Sequence, residues 1–109
     1  MSAKKAVRDA TGTAHPKGWK ATLFQSERLL IGVNCLEPGQ VQAVHEHAAQ
    51  DKFYLVQEGV GHFTVGSETL SAAAGEVVWT PAGVPHGVEN RGTVRLTVVV
   101  GIAPAPKSG

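Results

Sequence analysis

The stretch GEVVWTPAGVPHGVEN, Gly75 to Asn90, decides the fold. It opens at a turn glycine, runs through an apolar β-type segment (Val77, Val78, Trp79), breaks at Thr80-Pro81-Ala82-Gly83 and resumes as a second strand carrying His86. Proline has no ladder donor and glycine tolerates positive φ, so Pro81 and Gly83 bound the two strands. The break delivers one imidazole at a strand start beside a tight turn. A matching segment lies upstream, Gly39-Gln-Val-Gln-Ala-Val-His45-Glu-His47, with two imidazoles separated by a single residue. The strand period of two puts both on one face, with Val41 and Ala43, and sends Gln42, Val44 and Glu46 to the other. Three histidines from two strands form a constellation suited to a metal ion.

Outward from these segments the chain reads as one small domain. Its 109 residues suit a single core, and 42 % apolar with 17 % charged residues is ordinary globular composition. A net charge of +1 supplies no electrostatic case for nucleic acid or a membrane surface. The single cysteine, Cys35, has no internal disulfide partner and reads as a small buried apolar residue. No apolar run approaches the roughly 20 residues that span a bilayer, and Met1 to Ala14 lacks a signal-type apolar core. The expectation is a cytoplasmic protein.

Short β-type runs recur with turn signals between them: Trp19 to Phe24, Arg28 to Leu36, Gln40 to His47, Phe53 to Gln57, Val60 to Val65, Thr69 to Ala73 and Val94 to Ile102. Gln25-Ser-Glu27, Glu37-Pro38-Gly39, Glu58-Gly59 and Gly66-Ser67-Glu68 supply the turns. Strands at this spacing predict an all-β sandwich or barrel. The division is an N-terminal arm over 1–17, a barrel over 18–102 and a frayed tail over 103–109 that holds Pro104 and Pro106.

These residues resemble a small single-domain cupin. The second cupin motif, Gly, five residues, Pro-x-Gly, two residues, His, three residues, Asn, is matched in full by Gly75, Pro81, Gly83, His86 and Asn90. The first motif is matched at Gly39, His45, His47 and Gly59, and the fifteen residues between Gly59 and Gly75 correspond to compact microbial members. The resemblance implies a double-stranded β-helix, or jelly-roll barrel. One position departs: Lys52 stands where the family usually places a metal-ligating glutamate. An ammonium carries only donors and cannot ligate a cation. The order of preference for the fourth position is therefore no protein ligand, then Asp51, then Gln50.

The site expected from the sequence is a divalent transition metal (Zn, Fe, Ni, Cu or Mn) on His45, His47 and His86, with Asp51 as the candidate fourth ligand and Lys52 and Tyr54 as candidate pocket residues. Burying three imidazoles unpartnered costs desolvation energy that a cation removes. Three protein ligands leave coordination positions open, as in catalytic sites. Lys52 has two readings: its stem snorkels to the rim and the ammonium pairs with Asp51, or it stands at the metal and holds an anionic group. His15 and His62 read as solvated side chains, and Trp79, Phe53 and Phe63 as core or interface aromatics. The resemblance implies dioxygenase, isomerase or decarboxylase chemistry on a small molecule. The alternatives are a binding module for a carboxylate or sugar, and a metal-free structural protein. Small cupins pair through their sheets, so a homodimer is expected, with Trp19 to Phe24 and Leu29 to Val33 adding to a partner's edge. Light scattering should then return twice the 11.4 kDa chain mass; a value at the monomer mass rejects the pairing.

Overall fold

The computed structural model describes residues 2–46 and 49–107. Among these residues a 3-10 turn, Val7–Ala10, precedes nine strands: β1 (Trp19–Gln25), β2 (Leu30–Leu36), β3 (Val41–His45), β4 (Asp51–Glu58), β5 (Val60–Val65), β6 (Glu68–Ala73), β7 (Val77–Thr80), β8 (His86–Glu89) and β9 (Leu96–Ala103). They form two antiparallel sheets, β1-β2-β9-β4-β7 and β3-β8-β5-β6, the double-stranded β-helix expected from the motifs. No helix among the described residues is long and apolar enough to cross a membrane.

The period of two places the core between the sheets. In β4, Lys52, Tyr54 and Val56 point inward while Asp51 and Gln57 stay exposed. Leu36, Val78, Phe63, Val88, Leu96, Val98 and Val100 complete the inner cluster. β2 and β9 are also covered on their outer side. Val33, Cys35 and Leu23 form a second cluster there, capped by Val7, Ala10 and Trp19, and the Trp19 indole N–H donates to the Ala10 carbonyl at 2.7 Å. The N-terminal segment thus packs on the sheet and closes part of its outer face. Trp79 is the exception among the aromatics, 55 % exposed on the outer face of β7.

The motif glycines sit at turns that demand positive φ, +76° at Gly59 and +80° at Gly83, so their place in the pattern is conformational. Asn90 is structural too. It is fully buried, its side-chain amide donates to the Leu36 and Val94 carbonyls, and its carbonyl oxygen accepts from Gly92 N–H. Its backbone meets the first motif: Gly39 N–H donates to Asn90 O at 2.8 Å, and Asn90 N–H to Gln40 O at 3.0 Å. The last strand starts at Leu96 rather than Val94, because Val94 O is taken by Asn90.

Asn90→Ala removes three hydrogen bonds and strands buried backbone groups. The expected cost is roughly 2 to 4 kcal/mol in urea unfolding; a change under about 0.5 kcal/mol would contradict this role.

Candidate metal centre

His86 opens β8 directly after the Pro81–Gly83 break, and His45 closes β3. Register places the two opposite each other across the β3–β8 ladder. Their ring centroids lie 4.7 Å apart at a tilt of 55°. His86 is 2 % exposed, whereas His45 is exposed at the strand end. Each Nδ1 faces a backbone carbonyl, Ala43 O at 2.9 Å for His45 and Val84 O at 3.2 Å for His86. A carbonyl only accepts, so each neutral ring carries its proton on Nδ1 and its lone pair on Nε2, the tautomer that a metal ligand needs.

The alternation expected over Gln40 to His47 fails within β3. A register shift falls between Gln42 and His45, so Gln42 pairs with Val88 and His45 with His86, two residues of one inward face. An inserted bulge residue resets the parity of the strand, and Gln42 joins the interior with His45 instead of pointing away from it. Its amide Nε2 is buried with no hydrogen-bond partner among the described residues.

His47, the third expected ligand, lies outside the described residues. Among the described residues, no set of three His, Cys, Asp or Glu side chains gathers at one point. Asp51 is exposed, and its carboxylate accepts from Ala82 N–H at 2.9 Å, tying β4 to the turn before His86. Gln50 is likewise engaged, its amide donating to Pro104 O at 3.0 Å. His62 is half-buried opposite Glu89, and His15 is exposed, with Nδ1 3.3 Å from the Gln40 amide.

Lys52 does not reach the rim to meet Asp51, because successive strand residues face opposite ways. It is 6 % exposed inside the barrel, with Nζ 4.7 Å from the centroid of the Tyr54 ring. Burial, then the nearby Lys20 ammonium, lowers its pKa to about 8, so it still carries charge at neutral pH. The Tyr54 ring stands edge-on to His86 at 6.2 Å. Burial pushes its phenol well above the usual range, which keeps it a donor, and the hydroxyl has no partner among the described residues.

Two cavities border these residues. A cleft of about 490 Å³ between β1 and β3 is lined by Lys17, Lys20, Gln42 and His45. A recess of about 180 Å³ on the β1–β2 wall is lined by Lys20, Thr22, Asn34, Lys52, Val100 and Ile102, with Lys20 common to both. Lys20, Asn34 and Gln42 had no motif to mark them; only the sheet order puts them beside Lys52 and the histidines.

A family model described as a cupin domain matches residues 32–101, the span that holds both histidine segments. The chain belongs to the cupin family. A solved structure from Thermus thermophilus, TT1209, superposes with a TM-score of 0.90 at 38 % identity, covering 94 % of this cupin and 98 % of that chain. An uncharacterized Streptomyces coelicolor protein is 42 % identical over 64 residues, 58 % of this chain and 60 % of its own length. An oxalate-binding protein of Thermotoga maritima is 31 % identical over 77 residues, 71 % of this chain and 63 % of its own. This cupin thus spans 60 % and 63 % of those two relatives.

A buried ammonium with no carboxylate partner among the described residues is a stability cost. Lys52→Met should stabilise the protein by about 2 kcal/mol at pH 7. The folded pKa of about 8 lies below the ordinary 10.5, so the unfolded chain holds the extra proton between those values. The penalty is complete below pH 8 and fades towards pH 10.5, and the gap between variant and wild type in thermal unfolding should close over that window. A gap independent of pH would contradict the assignment.

Proposed function

We propose that this cupin binds a divalent transition metal through His45, His47 and His86 and offers it to a small polar molecule arriving through the cleft between β1 and β3. The observation that carries this reading is the cross-strand pair of His45 and His86, with both Nδ1 atoms turned to backbone carbonyls. Neutral imidazoles suit Zn, Fe, Ni, Cu or Mn. When bound, such a metal supplies Lewis-acid or redox chemistry at its open positions. The chain's own part is to present two lone pairs, to bring a phenol and an ammonium to the same interior, and to leave His45 on the cleft.

Capture without turnover is the second reading. No described carboxylate lines the cleft or the recess, so neither holds a carboxyl general base, and Lys52 replaces the glutamate that the family usually supplies. A chain that pairs with a second copy through β1 and acts in the cytoplasm suits either reading.

Elemental analysis of protein purified without chelator tests the centre. The wild type should carry close to one metal per chain and His86→Ala at least tenfold less; equal loads in the two proteins overturn it. Metal-dependent turnover or oxygen consumption then selects the enzyme, and ligand-dependent thermal stabilisation without turnover selects the binding module.

A further inference from the structure

We propose that the recess walled by Lys20, Asn34 and Lys52 is a binding subsite for a small organic carboxylate, built by this chain on the sheet facing the histidines. The inference deepens the small-molecule reading above without depending on the metal, because none of the recess residues is a histidine.

Four observations support it. First, Lys52 is 6 % exposed, yet the ion pairs among the described residues are Arg91–Glu89 and Arg95–Glu37, which leaves it no protein counterion. A second ammonium, Lys20, faces the same space, so the recess concentrates positive charge at low dielectric. Second, Asn34 is 5 % exposed and stands opposite Lys20 in the β1–β2 register. Its side chain makes no hydrogen bond among the described residues, leaving its amide available to an anion. Third, the Lys52 ammonium lies over the Tyr54 ring, whose buried hydroxyl has no partner among the described residues. Fourth, Val100 and Ile102 give the recess an apolar floor. Gly32 keeps it open on that side: a Cβ there would come within 2.8 Å of Ala21 O and 3.3 Å of Val100 Cγ2.

The chemistry selects the ligand class. Two ammoniums and an amide recognise an anion. The apolar floor favours one with a carbon skeleton over an inorganic ion. A volume of about 180 Å³ equals roughly six waters of liquid, room for a short mono- or dicarboxylate. Neither cavity offers a carboxylate acceptor of the kind that sugar hydroxyls need.

Calorimetric titration at fixed ionic strength tests this with malonate, its neutral diamide malonamide and inorganic phosphate as probes, on metal-stripped and metal-loaded protein. Malonate should bind both forms, with phosphate and malonamide at least tenfold weaker. Lys52→Met should weaken malonate at least tenfold. The exposed Lys20→Met, which leaves the interior intact, should weaken it several-fold. Wild-type affinity in both lysine variants overturns the subsite, as does equal binding of malonamide. Phosphate binding as tightly as malonate overturns the carboxylate assignment. Malonate binding that vanishes on metal stripping and ignores both lysines moves the ligand to the histidines, which overturns this inference while leaving the metal centre standing. Malonate binding to a wild type that never carries metal does the reverse.

Discussion

The close approach of β3 to β8 is the constraint on which the site depends. Gly87, between His86 and Val88, makes it possible: a Cβ there would sit 2.9 Å from both Gln42 O and Val44 N. With no side chain in the way, β3 lies flat against β8, the bulge after Gln42 turns His45 inward, and two imidazoles end 4.7 Å apart. Asn90 ties the far end of the same ladder to Gly39 and Gln40. Metal-ligating side chains must be held to a fraction of an ångström, and a ladder pinned at one end by backbone bonds and at the other by a turn can do that.

The opposite wall follows a different logic. Its inward face is apolar towards one end of the barrel, where Leu36, Val56, Val98 and Leu96 pack, and turns polar towards the end that holds His86, where Lys52 and Tyr54 stand. An ammonium buried without a counterion opposes folding. On the proposed metal centre a carboxylate at position 52 would be a fourth ligand; an ammonium there carries only hydrogen-bond donors and attracts an anion instead.

The family and the fold follow from what the sequence alone displays. Nine strands separated by glycine and proline turns, and a motif complete from Gly75 to Asn90, leave few ways to bury the apolar faces other than two antiparallel sheets. Turn glycines and Pro81 are legible because their chemistry is local: φ and a missing N–H are properties of one residue. His45 and His86 are legible for the same reason, each marked by its distance from a turn. Lys52 is legible as a departure at a motif position.

What the sequence could not decide was anything that depends on strand neighbours. The bulge in β3 follows from a register that only pairing with β8 sets, so simple alternation sent Gln42 to the wrong side. Lys20 and Asn34 are fourteen residues apart and carry no motif, yet the β1–β2 register brings them face to face. The side on which Lys52 ends, apart from Asp51 and over Tyr54, required the whole sheet to be assembled. Local conformation is written in single residues and their spacing. The surroundings of a buried charge belong to the tertiary structure, because they are made by strands distant along the chain.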